Sequence, residues 1–296
     1  MKKNNIILLS AIILLSFTYI LSLIKEGDGI EKREEIKSAL INPSNAGQIV
    51  KLELYDSASY LKLEKIDNIW QISQEENTFI SIPADSSKIE SFISDFSKVR
   101  SMYKISDKLS KNNSFGLTDA SAFKIRYYYA SSFDDFIFGN QDFSLSSRYL
   151  MSGRKTDVYE INDEIQKYLT SSVQFWSDPY LISRYTSGIK TFEDIQSAFS
   201  IKDGKKQSLN VDSRFMELRH GGLPLQSELE KLEELEEIRL EIGNKLSIIL
   251  YFYKKENAEL SDGIYVKEIY ESSSGKKEYW VKISSWTYNR ISEITL

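Results

Sequence analysis

The sequence predicts an α+β fold of two related antiparallel-sheet units, each backed by a helix, after one transmembrane helix. Three features predict it: an uncharged apolar run at residues 6–24, short stretches of alternating apolar and polar residues, and one proline-started amphipathic stretch in each half. We divide the chain into a cytoplasmic stub and anchor (1–25), a juxtamembrane linker (26–46) and two α+β units (47–185 and 186–296).

The apolar run is long enough to span a membrane. As a helix its nineteen residues extend roughly 28 Å, close to the roughly 30 Å hydrocarbon thickness of a bilayer. Lys2 and Lys3 precede the run and the first acidic residue is Glu26, which predicts a cytoplasmic N-terminus and an extracytoplasmic remainder. A cleaved signal peptide is the alternative, although its apolar part is usually about 7–15 residues and ends at an A-x-A-like site. We expect a single-pass inner-membrane protein.

Composition excludes several classes of protein. The chain has 38 Lys and Arg residues against 43 Asp and Glu residues, a formal net charge of −5, and three of its basic residues precede Glu26. An acidic body argues against nucleic-acid binding, which needs a basic face, and against binding flat on anionic lipid. With no cysteine there is no disulfide framework, so 18 Tyr and 15 Phe residues are expected to supply much of the core.

The linker and the first unit follow from local patterns. Residues 26–39 mix both charges and predict a juxtamembrane helix or stalk, so the folded part is expected to begin near Gly47. Alternation predicts strands at 50–54, 60–64, 69–72, 123–129, 135–138, 148–151 and 157–161. Between them, Pro83 and a capping Asp85 or Ser86 predict the start of a helix. Its apolar stripe is Ile89, Phe92, Ile93, Phe96 and Val99, and a short helix is expected at 165–169.

The second unit is predicted to repeat this plan. Strands are expected at 195–201, 208–211, 215–218, 246–253, 263–270 and 278–283. A helix started near Pro224 is predicted from an apolar stripe of Leu229, Leu232, Leu235 and Ile238. Three strands, a proline-started helix and further strands in both halves indicate an internal repeat, with a hinge near residues 186–188.

Motifs for catalysis, cofactors and metals are missing from the sequence. His220, the only histidine, lies in Arg219-His220-Gly221-Gly222, which is similar to a hydrolase oxyanion loop, but no G-x-S-x-G nucleophile motif occurs. We therefore expect His220 in a turn or exposed loop. One His and no Cys argue against zinc, and no calcium-loop or phosphate-binding motif is present. The prediction is no enzyme, no catalytic, cofactor-binding or metal residues, and no cofactor.

Acidic and aromatic clusters allow two interpretations each. Asp134-Asp135 flank a predicted strand, and Glu233-Glu234 with Glu236-Glu237 lie on the predicted second helix, where a solvated face or a surface for a basic partner would explain them. Tyr127, Tyr128 and Tyr129 must alternate between the two faces of a strand. Trp280 and Trp286 lie among tyrosines near the C-terminus. Exposed aromatic residues would favour protein or glycan recognition, but packing is the simpler expectation.

Several short motifs, in order along the chain, are similar to one bacterial family. They are Lys62-Leu63 before Trp70, Ile82-Pro83-Ala84-Asp85, Phe115-Gly116-Leu117-Thr118, Ile137-Phe138-Gly139, Arg148-Tyr149-Leu150 with Val158-Tyr159-Glu160-Ile161, and residues 175–182. Together they resemble the uncharacterised family called domain of unknown function 4340, over residues 48–183 well and over the second half weakly. The family's usual proline after Gly-Leu-Asp is missing, because Thr118-Asp119-Ala120 stands there.

The resemblance implies a role rather than a reaction. Members resemble membrane-anchored envelope proteins, often encoded with an ABC-type transport system similar to those linked to gliding motility. We expect a non-catalytic extracytoplasmic accessory or scaffold subunit of such a complex, with protein partners and a membrane anchor but no nucleic acid. Two alternatives remain: a membrane-anchored binding module for an envelope glycan or peptide seated between the repeats, and a carboxylate-dependent hydrolase with two acids roughly 5–9.5 Å apart in one cleft.

Overall fold

The structure is a computed structural model of the full chain. It describes residues 15–16, 33–57, 59–74, 81–107, 114–118, 122–153, 155–189, 191–243, 246–273 and 275–294. The predicted span at 6–24 lies outside these ranges apart from Leu15 and Ser16. None of the helices in the described ranges combines the length and the apolar character needed to cross a bilayer.

The strands of the first sheet all pair antiparallel. They are β1 (Glu35–Ser38), β2 (Lys51–Tyr55), β3 (Tyr60–Ile66), β4 (Ile69–Gln74), β5 (Ile82–Pro83), β6 (Arg100–Ser106), β7 (Phe123–Tyr128), β8 (Phe133–Gln141), β9 (Ser147–Ser152) and β10 (Val158–Asn162). Their order in the sheet is β1-β6-β10-β9-β8-β7-β2-β3-β4-β5. Each strand predicted for this unit is confirmed to within a few residues, because one apolar face gives clear alternation.

Helix α1 (Ser86–Phe96) covers one face of this sheet. The Asp85 side chain accepts a hydrogen bond from the Lys88 backbone N–H at 3.1 Å, which confirms the predicted N-cap. Phe92 is fully buried, with its ring 5.5 Å from Tyr168 and 5.8 Å from Trp176 between ring centres. The predicted stripe is wrong only at Val99, which is exposed because the helix ends before it.

The start of the fold differs from the prediction. Residues 35–38 form β1 rather than a helix or stalk, and they pair with β6, a strand that the sequence did not reveal. Ile41 is fully buried, and its backbone N–H donates to the Phe96 carbonyl at 2.9 Å. The segment called a linker therefore belongs in part to the first unit.

The second sheet has a simpler strand order than the first. They are β11 (Ile195–Lys202), β12 (Lys205–Ser208), β13 (Leu232–Ile242), β14 (Leu246–Lys255), β15 (Ile264–Ser272) and β16 (Gly275–Ile283), in the order β12-β11-β13-β14-β15-β16. The strands predicted at 195–201, 246–253, 263–270 and 278–283 are confirmed. The strand predicted at 208–211 is misplaced, because β12 already ends at Ser208. Residues 213–217 form a 3₁₀ helix, where a strand was predicted at 215–218.

The helix predicted after Pro224 is wrong beyond its first turn, because Gln226–Leu229 form a short 3₁₀ helix and Leu232–Ile242 form the long strand β13. The pairing register skips Leu235, since Glu234 lies opposite Tyr253 and Glu236 lies opposite Phe252. This β-bulge interrupts the alternation of apolar and polar residues in β13, so the spacing of three between the apolar residues was taken for a helix. Beyond the bulge, Ile238 and Leu240 alternate regularly into the core.

The second sheet is nevertheless backed by a helix. Besides α1, the structure describes the helices α2 (Val173–Trp176), α3 (Arg184–Ser187) and α4 (Ser285–Ile294). Tyr288 of α4 lies 5.5 Å from Phe252 of β14 between ring centres, and Ile291 is buried beside the same sheet. Further 3₁₀ helices are Pro43–Gln48, Asp163–Tyr168, Phe192–Asp194, Gln226–Leu229 and Leu260–Asp262.

A six-strand order recurs in the two sheets. The first contains β3-β2-β7-β8-β9-β10 and the second β12-β11-β13-β14-β15-β16, so a hairpin flanks a four-stranded meander in each. Two antiparallel-sheet units are thus present, with the second helix placed at the end of the chain rather than in its middle. One hydrophobic core runs through both, and the boundary at 185/186 stays a prediction.

Candidate functional site

The two sheets are joined by a pair of extended segments, residues 177–183 and 218–222, which we call the seam. Three isolated β-bridges connect them in sequence: Ala84 with Ser177, Tyr180 with Arg219, and Gly222 with Lys282. The first bridge starts beside β5 and the last ends on β16. Backbone pairing through these bridges therefore holds the two seam segments between the sheets.

Asp178 stabilises the bend of the first seam segment. Its carboxylate accepts hydrogen bonds from the backbone N–H groups of Tyr180 at 3.3 Å and Arg184 at 3.2 Å. Only 3% of the residue is exposed. Burial raises the pKa of this carboxyl group, although the Ser183 hydroxyl and both backbone donors oppose the change. Asp178 is thus committed to local backbone geometry.

His220 lies on the second seam segment and faces the first. Its Nε2 is 2.6 Å from the Asp178 carbonyl oxygen, and because a carbonyl only accepts, Nε2 carries the proton. Nδ1 is buried and has no hydrogen-bond partner among the described residues. Burial lowers the pKa of His220, which keeps the ring neutral. The prediction of a turn or exposed loop is wrong only as to exposure, because His220 lies outside the strands and helices but its ring is partly buried and joins the two segments.

Glu268 places a carboxyl group on the buried face of β15. The residue is 2% exposed, and its Oε2 accepts a hydrogen bond from the Tyr270 hydroxyl at 2.8 Å. That hydroxyl in turn accepts from the Ser183 backbone N–H at 3.0 Å, which connects β15 to the seam. Burial raises the pKa of Glu268 well above its ordinary value, and the nearby Asp178 carboxyl adds to the rise. Glu268 therefore stays protonated where exposed glutamates ionise.

Glu268 Oε1 is buried beside the seam and has no hydrogen-bond partner in the described part of the chain. The Tyr279 and Thr186 hydroxyls are also buried there and interact with each other. Burial raises the pKa of Tyr279, so its hydroxyl stays neutral. Glu268, Tyr279 and His220 thus each keep a proton. The acids and the histidine face the interior of the protein.

Two clefts open beside the seam. One, of about 360 Å³, is lined by Asp67, Thr186, Tyr270, Lys276 and Lys277. Lys277 Nζ lies 3.5 Å from the Asp67 carboxylate, so an ion pair crosses this cleft between the sheets. The other, of about 460 Å³, is lined mainly by small polar residues that include Asp56, Ser59, Ser171, Gln174 and Gly221. Both clefts take residues from both units.

The acidic clusters singled out in the sequence lie on strands and form ion pairs. Asp135 is 6% exposed and lies 3.1 Å from Arg126 and 3.5 Å from Lys124. Glu233 pairs with Lys254 at 3.1 Å across the β13–β14 ladder, and Glu237 pairs with Arg239 at 2.7 Å. The structure does not bring the two clusters together. The predicted acidic helix face is therefore an acidic strand whose charges are partly neutralised within the sheet.

The aromatic runs divide between the faces as expected. Tyr127 is 2% exposed, and its hydroxyl donates to the Leu40 carbonyl at 2.8 Å inside the core. Tyr128 points to the opposite face, where its hydroxyl donates to Glu53 at 2.6 Å. Trp280 packs 5.5 Å from Tyr253 between ring centres, whereas Trp286 on α4 is largely exposed. Packing therefore accounts for each of these except Trp286.

Sequence reasoning missed Asp178 and Glu268, although a signal existed for one of them. In β15 the buried face carries Ile264, Val266, Glu268 and Tyr270, so an acid stands in an apolar row. No comparable signal marks Asp178, whose position depends on the fold. No group of three or more His, Cys, Asp or Glu residues that could hold a metal ion occurs within the described ranges.

Comparison with known proteins places the chain in a family without giving it an activity. The sequence model described as Domain of unknown function (DUF4340) matches residues 70–255, which is more than half of the chain and reaches further into the second unit than the motifs indicated. No curated protein matches the sequence. No solved structure matches it either. The chain therefore belongs to the DUF4340 family of proteins of unknown function.

Proposed function

We propose that this protein is a non-catalytic, extracytoplasmic accessory or scaffold subunit of an envelope ABC-type transport complex. In this proposal residues 6–24 anchor it in the inner membrane with a short cytoplasmic N-terminus, and the two sheet units lie outside the cytoplasm. The transport-complex part of the proposal is supported by the family resemblance. The uncharged apolar run and the flanking Lys2 and Lys3 support the anchor and its orientation.

The observation that carries the scaffold role is the internal use of the seam's titratable groups. His220 binds a backbone carbonyl, Asp178 binds backbone N–H groups, and Glu268 binds Tyr270. An enzyme needs such groups within reach of a substrate, whereas a scaffold needs them to fix two units rigidly. The arrangement therefore favours a rigid body that holds its partners, and it does not favour a reaction site.

A carboxylate-dependent hydrolase is the weakest candidate. Asp178 and Glu268 are two buried acids that lie near each other, since the Asp178 carboxyl raises the pKa of Glu268. Their exposures are 3% and 2%, so neither faces an open cleft. Hydrolysis between two acids needs room for the sugar and water between them. The geometry does not favour this reaction.

A binding module for an envelope glycan or peptide is the second candidate. The clefts of about 360 and 460 Å³ beside the seam favour it, because each is lined by residues of both units and rich in hydroxyl groups. Against it, the centre of the seam is filled by side chains such as His220 and Tyr270 rather than open. A ligand would have to bind at the edge of the seam, not within it.

Co-purification tests the scaffold proposal. The full chain, tagged at its C-terminus and produced at its natural level, is extracted in a mild detergent and isolated. We expect the permease and ATPase of a transport system to be recovered with it in fixed ratio. A variant lacking residues 1–25 is the control for the anchor. Recovery of the intact chain alone would overturn the proposal.

A further inference from the structure

The hairpin between β8 and β9 presents two large apolar side chains to solvent. Residues 142–146 form its turn, which we call the tip. Phe143 is 105% exposed and Leu145 is 69% exposed, the first being the most exposed large apolar residue that the structure describes. A single exposed apolar side chain is common on protein surfaces, but two at the end of one hairpin form a small projecting apolar surface.

The tip is held in one conformation by Asp142. Its carboxylate accepts hydrogen bonds from the Ser144 hydroxyl at 2.7 Å, the Ser144 N–H at 3.2 Å and the Ser147 N–H at 3.0 Å. The Leu145 backbone N–H also donates to the Asp142 carbonyl at 3.1 Å. Because these bonds order the turn before any contact is made, binding through the tip loses little conformational entropy.

Leu145 shows that this ordering has a cost. Its φ is 58°, in the left-handed region that glycine and asparagine adopt with less strain. The turn thus combines backbone strain with exposure of apolar surface, and neither stabilises the folded chain. Both are explained if Phe143 and Leu145 are held ready for a binding partner.

The position of the tip argues against a lipid partner. The described fold begins with Arg33 and enters β1, which pairs with β6, and β6 pairs with β10, which pairs with β9. Since every pairing is antiparallel, β1 runs toward the end of the sheet from which β9 starts. The chain therefore enters the sheet from the end opposite the tip. A membrane anchor before Arg33 would thus join the fold at the end of the sheet opposite the tip.

The charge around the tip points the same way. Asp142 lies in the tip, which contains no basic residue, and the nearby Arg148 is already paired with Asp163 at 2.7 Å. Glu164, exposed just after β10, interacts with Arg100. An acidic tip repels anionic headgroups. It suits a protein pocket that has basic residues around its entrance.

We propose that Phe143 and Leu145 insert into an apolar pocket with a basic rim on a second protein of the complex. The inference deepens the proposed function, on which it rests for the identity of that protein, by naming the surface that meets it. A Phe and Leu pair two residues apart on a rigid turn has the form of a binding hot spot, in which a few buried side chains supply most of the affinity.

A cysteine-protection experiment tests this inference, because the chain has no cysteine of its own. Leu145→Cys reports on the tip while keeping Phe143, and Gln207→Cys on the exposed strand β12 is the matched control. Maleimide labelling is compared in native membranes and in the purified full chain. We expect Leu145→Cys to react at least ten-fold more slowly in native membranes, and Gln207→Cys to react equally in both.

Two further arms identify the partner. Adding Phe143→Ser to Leu145→Cys should restore fast labelling in native membranes without lowering the unfolding midpoint, because Phe143 makes no stabilising burial. The purified chain in vesicles of anionic phospholipid should label as fast as in detergent. Equal labelling of Leu145→Cys in native and purified samples, or protection by the vesicles alone, would overturn the inference. If the tip is protected yet no transport subunit co-purifies, the proposed function fails instead.

Discussion

Replacing Glu268 with Gln should change how stability depends on pH. The carboxyl is buried, its pKa is raised well above the ordinary value of 4.5, and the unfolded chain has no such environment. Above pH 4.5 the unfolded chain has lost this proton while the folded chain keeps it. The free energy of unfolding therefore falls with rising pH, by about 1.4 kcal/mol per unit, until the folded carboxyl also ionises.

The magnitude follows from this slope. If Glu268 stays protonated in the folded chain across pH 5 to 7, it lowers the stability of the wild type by about 2.7 kcal/mol over that interval. Glu268→Gln has no proton to lose, and its amide oxygen can still accept from Tyr270. The two N–H donors of the Gln amide take the place of Glu268 Oε1, which already lacks a hydrogen-bond partner. Leaving these donors unpaired costs about 1–3 kcal/mol of stability at every pH.

Urea unfolding of the full chain in detergent, followed by tryptophan fluorescence at pH 5, 6, 7 and 8, measures this effect. The quantity to plot is the difference in unfolding free energy between wild type and Glu268→Gln. Taking the difference removes His220, whose lowered pKa acts in the opposite direction by raising stability with pH. Glu271→Gln, the same substitution on the exposed face of the same strand, is the control. A difference that is constant from pH 5 to 8 would refute the reasoning.

Three further substitutions test the fold by the same unfolding assay. Phe92→Ala should lose about 3–5 kcal/mol, because it empties a fully buried position beside Trp176, and a loss below 1 kcal/mol would contradict that placement. Asp163→Ala should lose about 3 kcal/mol, since it leaves Arg148 without the carboxylate 2.7 Å away, and the double variant with Arg148→Ala should recover part of that loss. Asp85→Ala should lose about 1 kcal/mol through the helix cap, whereas Asp85→Asn should lose much less; equal losses would refute a capping role.

The sequence predicted the strands better than the connections between them. Strands with one buried face reveal themselves by alternation, and β7 with its Phe123, Ile125 and Tyr127 is a clear example. β13 misled the prediction because the bulge at Leu235 disturbed that alternation within a run of glutamates. β1 and β6 were missed because their burial patterns are mostly partial, so they lack a continuous apolar face.

The seam and the tip could not be derived from local patterns. The seam depends on contacts between residues far apart in the chain, such as His220 with the Asp178 carbonyl, and one sequence does not encode such pairings visibly. Phe143 and Leu145 lay between the strands predicted at 135–138 and 148–151, and the sequence did not single them out, because their exposure depends on the length of the hairpin. Only the acid in the apolar row of β15 was readable in advance.

The order in which the chain is made gives the seam a further consequence. The first sheet is complete once Asn162 has been synthesised, but Leu181 and Ser183 find their hydrogen-bond partners only when Leu218 and then Tyr270 have been synthesised. At about 5–20 residues per second, the gap between Asn162 and Tyr270 lasts about 5–20 s. During that time the nascent chain carries an unfinished, partly apolar edge. A holding chaperone at the exit site would shield this edge from other growing chains.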